Sequence, residues 1–550
     1  MDMNTEKILR RNKNKGYVFI SVILMTVVLE TLLGVTFVRQ LQEQKLAEYN
    51  LMKLQTFYAA QAAVERGVYD LATNVANFSV DSFLTAQHPV TFSDNQTTAN
   101  YTVTAGTAYQ TSENGVTKQV REYQISGNAT HPRNSLFMNF LKIPATTAVN
   151  ETIAVKTSTL FQYMIFYTDD LEVVPGQLMT LSGKVHSNKD IYLGSNGSLL
   201  KVDTEYLKAV GAVHRGRKNV YDLTTGTVDI KVKGSSNYSP MTVSPLLDST
   251  NSNWTTLSQS TWNGTVQDRS HNVPIVTPLG IPPITPGGFY DTKAGEGGLR
   301  LTKKTNGSIE VTCNGTRNDS IANNIISQDT FYDGREGTNV NVLTIKMDAL
   351  NQSGGCTPSN GVIYATREDT TTSNPNGIRL SNGSTVPSNL TVVTNNPLYV
   401  KGDFNTVNKK SVALVSDSLN IQSKAWVDYV NNSKPLANRV AQETTVNAAF
   451  ASGITISNPA TGQYNGGFEN YPRLLEKWSG IKLNITGAFI SLWQSQFAKD
   501  PWAYGGYYEA PNRIWNYDSN LISNPPPFTP IIVELESKSW WQDAKESSFQ

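Results

Sequence analysis

The stretch from Tyr17 to Val38, "YVFISVILMTVVLETLLGVTFV", is a twenty-two-residue apolar run that constrains this chain more than any other feature. A helix of that length spans about 33 Å, enough to cross a bilayer. Lys7, Arg10, Arg11, Lys13 and Lys15 precede it, and only Arg39 and then Lys45 follow closely. That bias places residues 1–16 in the cytoplasm and the large C-terminal mass outside. The run is too long for the core of a cleaved secretory signal, and no A-x-A-like site follows it. Ser21 and Glu30 stand out within it. A carboxylate near the middle of a span costs about 2.5–3.5 kcal/mol on insertion scales, so Glu30 needs compensation.

Beyond Arg39 the helical pattern continues without proline through "LQEQKLAEYNLMKLQTFYAAQAAVERGVYDLATNVAN". Leu41, Leu46, Tyr49, Leu54, Phe57, Tyr58, Val64, Val68 and Leu71 recur at helical spacing around an Ala-rich stretch at 59–63. Residues 17–75 therefore read as one helix of about 55–60 residues, on the order of 85 Å long. Its first half is apolar all round and its second half is amphipathic.

A short basic leader ending in Gly16, an apolar half-helix starting with an aromatic, and an amphipathic half ending "AAQAAVERG" resemble the type IV pilin-like proteins. The PilX-type minor pilins are the nearest group, and the large K-type minor pseudopilins of type II secretion are similar. The resemblance implies that a membrane aspartyl peptidase cuts between Gly16 and Tyr17 and that the new amine is methylated. It also implies packing of the helix among other pilin-like subunits. Two positions depart from the family pattern: Tyr17 stands where ordinary pilins have Phe, and Ser21 where they have Glu. Several minor pilins, notably the K-type, also lack that Glu. The competing reading is a signal-anchored single-pass protein whose leader is never processed.

Short strand candidates follow the helix: "ANYTVTAGTAYQ", "REYQISGNATHP" and "ETIAVKTSTLFQYMIF". The first two flank a turn containing Asn114-Gly115, a hairpin signal. These segments make an α+β head over about 76–160, whose sheet covers the helix's Ala/Leu face. From 161 to 535, phrases such as "GKVHSNKDIYL", "LYVKGDFN", "SVALVSDSLNIQ" and "LNITGAFISLW" alternate apolar and polar residues between Gly and Asn turns. Their recurrence suggests a right-handed parallel β-helix or similar solenoid, with a β-sandwich as the alternative. Residues of about 235–360 read as an insertion or long crossing loops, and "YPRLLEKWSG" as a late helical turn. Residues 536–550 form a tail that packs Trp540 and Trp541 back on the domain. Several of these phrases, with "GGFENYPRLLEKW" and "NPPPFTP", also resemble the C-terminal modules of PilX-like proteins, which supply no established chemistry.

The balance of 46 basic and 45 acidic residues gives no reason to expect nucleic acid. Cys313 and Cys356 are either one disulfide closing a long loop or two unpaired thiols. Candidate acid/base groups are Asp169, Asp170 and Glu172 in "YTDDLE", then Lys184, His186, Lys189 and Asp190, and finally Lys401, Asp403 and Asp417. Solvated turn residues explain each of them. "FYDGREGTN" and "DTTTSNPNG" offer oxygen donors but match no calcium loop, so no metal and no cofactor are expected. Trp502, Tyr504, Tyr507, Tyr508, Trp515 and Tyr517 are either a sugar- or surface-binding patch or, as favoured, the core of a folded loop.

The expected function is a non-enzymatic minor pilin-like subunit. It would sit first in a bacterial inner membrane and then at or near the tip of a pilus or pseudopilus, priming assembly or adhering. Two rivals remain: a membrane-anchored β-helical polysaccharide-active enzyme, and a tip pseudopilin of a type II secretion machine.

Overall fold

The computed structural model describes residues 6–543 except 77, 85, 93–96, 114, 132–144, 220–224 and 279–282, with side chains from Tyr17 onward save those of Ala76 and Ser82. A long N-terminal helix leads into a large β-rich region of several sheets, a mixed α+β protein. The described residues form two compact units, one within residues 6–109, 120–155 and 535–543, the other within residues 110–119 and 156–534.

In the first unit the helix runs over Glu6–Ala76, 71 residues, starting earlier than its apolar pattern predicts. Residues 17–38 are exposed along their whole length. Polar side chains are tolerated there because they bond back to their own helix: Ser21 Oγ donates to the Tyr17 carbonyl at 2.8 Å, and Thr26 Oγ1 to that of Val22 at 2.6 Å. Glu30 is exposed and has no partner among the described residues. Further along, the buried stripe is Met52, Thr56, Ala60, Val64, Gly67 and Leu71, flanked by Ala59 and Ala63. Leu46, Leu54 and Tyr58, expected inside, are 60%, 49% and 59% exposed.

The correction has a steric cause, since the sheet approaches so closely that only small residues fit. A Cβ on Gly127 would lie 2.4 Å from the Ala60 carbonyl oxygen, and one on Gly67 would lie 2.7 Å from Ile125 Cγ2. Thr98–Ala105 and Val116–His131 pair antiparallel across this face, and Tyr101 donates from its hydroxyl to Asp70 at 2.6 Å. The hairpin closes between Tyr109–Glu113 and Val116–His131, with Gly115 at φ +80°, while Asn114 lies outside the described residues.

The C-terminal tail is not a loose packing segment. Ile531–Asp543 is a thirteen-residue strand that sits beside Ala145–Thr159 in the sheet. Ser537 donates to Glu151 at 2.6 Å, and Trp540 meets Phe57 edge-on at 6.2 Å. Trp540 stays 48% exposed and Trp541 36%.

In the second unit, parallel strands recur in two runs. Ile165–Tyr167 pairs with Val185–Ser187, which pairs with Leu207–Ala209. Equivalent residues are 20 and then 22 apart (165, 185, 207). Leu171–Val173, Ile191–Leu193 and Val213–Arg215 repeat the spacing in a second sheet, and Met179–Leu181, Leu199–Val202 and Thr227–Lys231 make a third. From Val362 to Ser491 the chain alternates between two sheets, also in parallel. The runs join where Phe489 pairs with Ile165. One continuous row, including Leu414, Phe450, Phe489, Ile165, Val185 and Leu207, fills the core and leaves at most 1% of each residue exposed. The neighbouring row on the other face runs Val415, Ala451, Ile490, Phe166, His186 and Lys208.

Residues 235–360 do not form a detached insertion. Leu299–Lys303 and Thr338–Lys346 pair in parallel with Val362–Arg367 and Gly377–Ser381, and so belong to the same sheets. Helices lie where loops were expected, at Trp254–Trp262 and Phe289–Gly297. "YPRLLEKWSG" is not helical: Pro472–Arg473 is a short strand, and Lys477 makes bridges to Val440 and Glu509. Leu474, Leu475 and Trp478 are all buried there, which a one-sided helical turn would not achieve. Cys313 and Cys356 are joined in a disulfide with Cα atoms 6.0 Å apart.

Candidate functional site

Most candidate acid/base groups organise turns. Asp169 pairs with Lys189, and Asp170 with Lys218 at 2.5 Å. Asp190 accepts from the Ala212 amide at 2.7 Å and lies 3.8 Å from His214. Lys184 donates to Gln162 at 3.3 Å. His186 stacks on Phe166 at 5.4 Å and contacts Asn188 at 3.1 Å, and burial lowers it to about 4, so it is neutral at pH 7. Asp403 accepts from the Thr445 amide at 2.9 Å and pairs with Lys424 at 3.1 Å. Asp417 is buried and accepts from the Ser495 hydroxyl at 2.6 Å and the Gln496 amide at 2.5 Å. In "FYDGREGTN", Asp333 accepts from Tyr399 at 3.0 Å and Glu336 pairs with Arg473 at 2.5 Å, so both carboxylates serve buried cationic and phenolic neighbours.

A trough of about 530 Å³ lies on the sheet face holding Thr344, Arg379 and Lys401. Arg379 reaches Asp428 at 2.7 Å and Asp329 at 2.8 Å. Burial acts to raise Asp329, but the Thr344 hydroxyl and the Arg379 charge outweigh it and hold the carboxyl below its ordinary value. A neutralised ion pair of this kind supplies no proton-poised acid.

A different cavity, of about 390 Å³, draws together two stretches that the sequence left apart. One is the stretch just after "YTDDLE", which supplies Val174 and Gln177 to the lining, while Glu172 itself bonds to the lining residue Tyr464. Glu172 accepts from the Tyr464 hydroxyl at 2.7 Å and the Lys218 amide at 3.1 Å, and burial raises its pKa. The other is the aromatic segment, which contributes Tyr504, Tyr508 and Arg513 to the lining. Between them stands Glu469, in the turn Phe468–Asn470. The glycine pair before it is obligatory: Gly466 and Gly467 have φ of +78° and +75°, and a Cβ on Gly466 would fall 2.8 Å from the Ala503 Cα. Burial, reinforced by the charge of Glu172, raises Glu469 to about 7 against the opposing pull of Arg513.

Arg513 donates to the Glu469 carbonyl at 2.9 Å and to Tyr508 at 3.4 Å, with no carboxylate in ion-pair range among the described residues. Tyr508 in turn donates to Asn470 at 2.7 Å. Arg217 lies 5.9 Å from the Tyr464 ring and has no hydrogen-bond or ion-pair partner among the described residues.

The aromatic segment is mainly core. Trp502, Tyr508 and Trp515 are each 2% exposed, which removes them from a surface patch. Trp502 donates to the Ala498 carbonyl at 2.8 Å, and Trp515 stacks on Phe489 at 5.2 Å. Tyr507 is half-buried near Arg335, and Tyr517 donates to the Phe161 carbonyl at 3.1 Å. Tyr504 alone of the six candidate aromatics is well displayed, at 60%.

Arg217, Tyr464, Glu469 and Arg513 were not singled out from the sequence. The "NGGFEN" glycine pair was the available signal, since two successive left-handed glycines announce a fixed turn. Comparison with family models, curated proteins and solved structures finds no match to this chain.

Proposed function

We propose that the chain is a minor, non-enzymatic pilin-like subunit. Its N-terminal helix packs in the core of a type IV pilus or related pseudopilus, and its large β-rich region is displayed outside. The observation that carries this reading is the division of one helix into two kinds of surface. Residues 17–38 are apolar and exposed, whereas from Met52 the helix buries a stripe of small residues against its own sheet. The first half is long and apolar enough to cross a membrane and is left uncovered by the described residues. A helix built this way needs lipid before assembly and neighbouring helices afterwards.

In this reading the prepilin peptidase cuts between Gly16 and Tyr17, and the second unit is a right-handed parallel β-helix. The 20- and 22-residue returns of parallel strands support that architecture over a sandwich, which requires antiparallel sheets. A region of that bulk would crowd its neighbours if repeated along a filament, so the subunit sits at or near the tip and primes assembly or adheres. The test is to shear filaments from cells and label the chain. Co-purification with label at filament ends, and an N-terminus at Tyr17 by mass spectrometry, are expected. A chain retained wholly in the membrane with an intact leader refutes the proposal.

A further inference from the structure

We infer that the cavity bounded by Arg217, Tyr464, Tyr504 and Arg513 binds the carboxylate of an acidic sugar residue, such as a uronate unit of a polysaccharide. The argument starts from charge. Buried arginines of this unit are held in two ways: Arg367 pairs with Asp369 at 2.7 Å, Arg379 with Asp428 at 2.7 Å and Arg473 with Glu336 at 2.5 Å, whereas Arg215 and Arg335 donate to main-chain carbonyls and Arg439 to the Tyr429 hydroxyl. Arg513 is 5% exposed and Arg217 half-buried, yet neither has a carboxylate within ion-pair range among the described residues. The two acids nearby do not fill that role. Glu172 is committed to Tyr464 and the Lys218 amide, Glu469 accepts from the Val174 amide at 3.3 Å, and burial drives both toward the neutral form. Two guanidinium groups at the wall of one cavity, neither in an ion pair among the described residues, can receive a carboxylate, because a guanidinium presents paired N–H groups to it.

The remaining walls select the body of the ligand. Gln177 and Asn196 present exposed side-chain amides with no partner among the described residues, suited to sugar hydroxyls. Tyr504 offers an exposed ring at the mouth, held edge-on by Tyr508 at 5.4 Å, against which the C–H face of a pyranose can lie. A volume of about 390 Å³ suits a small-molecule or terminal-sugar site rather than a protein surface.

This inference names the ligand of the displayed region and so rests on the adhesive part of the function proposed above, but it is measured apart from filaments. The purified full-length chain in detergent is titrated calorimetrically with digalacturonate, with the matched neutral galactose disaccharide, and with sodium sulfate. Digalacturonate is expected to bind at least tenfold more tightly than either of the others. Arg217→Gln should weaken it tenfold or more, and Tyr504→Ala several-fold. Neither side chain makes a hydrogen bond among the described residues, and an unchanged thermal midpoint verifies folding of each variant. Equal binding of the neutral sugar, equal binding of sulfate, no binding of digalacturonate, or an unaffected Arg217→Gln variant would each overturn the inference. Failure here leaves helix packing in a filament untouched, and failure of filament co-purification leaves a measured affinity standing.

Discussion

Two carboxylates illustrate how differently one residue type behaves in this chain. Glu30 projects from an exposed apolar helix and has no partner among the described residues. In a bundle of packed helices it can meet a neighbour's terminal amine or a polar side chain. Under the proposed packing of this helix in a filament, Glu30→Gln is expected to leave membrane insertion intact and to impair incorporation, measured by the yield of the subunit in sheared preparations. Glu469 meets the opposite environment. Its folded pKa of about 7 lies above the unfolded value of about 4.3, so the folded state binds the extra proton between them. Its contribution to stability is present below pH 4.3 and is lost as pH rises through 7. The unfolding midpoint of the second unit should accordingly fall between pH 5 and pH 7.5. In Glu469→Gln that slope should become shallower, as followed by differential scanning calorimetry.

The elements show where periodicity was informative and where it misled. The long helix was legible because its apolar run and proline-free continuation leave no alternative structure of comparable length. Which side of its second half is buried was legible in part: the Ala-rich stretch at 59–63 does pack inward, with Val64 and Leu71. Hydrophobicity favoured Leu46, Leu54 and Tyr58, but the sheet approaches along Ala60, Val64 and Gly67, where small size decides. Gly127→Val should test this contact, because its side chain would overlap the Ala60 carbonyl and Val64. A loss of about 1–3 kcal/mol is expected from overpacking, read as a lower denaturation midpoint of the first unit with that of the second unchanged. The disulfide is a second elemental constraint. Cys313 ends the strand Ile309–Cys313, and Cys356 is buried 43 residues later. Loop-closure entropy gives the bond about 4 kcal/mol, so a Cys313→Ser/Cys356→Ser double variant should unfold at clearly lower denaturant.

On the scale of the whole molecule, the chain returns to where it began. Ile531–Asp543 enters the sheet beside Ala145–Thr159, so the first unit draws on both ends of the sequence. A chain ending at Glu534 should leave that sheet without a full neighbour strand. Faster proteolysis in residues 98–131 is then expected, with the second unit still resistant. By itself the sequence determined the membrane-length helix, the strand-rich character of the remainder and the short apolar alternations that recur through it. Those properties reside in local composition and spacing, which each segment carries regardless of its neighbours. Only the tertiary structure decided that the tail is a strand and that residues 299–346 belong to the main sheets. It alone brought Arg217, Glu469 and Arg513 around one cavity, with Glu172 bonded to its wall residue Tyr464. Residues 172 and 469 lie almost 300 positions apart, and their meeting depends on how stacked strands align, an arrangement that nothing in either local stretch encodes.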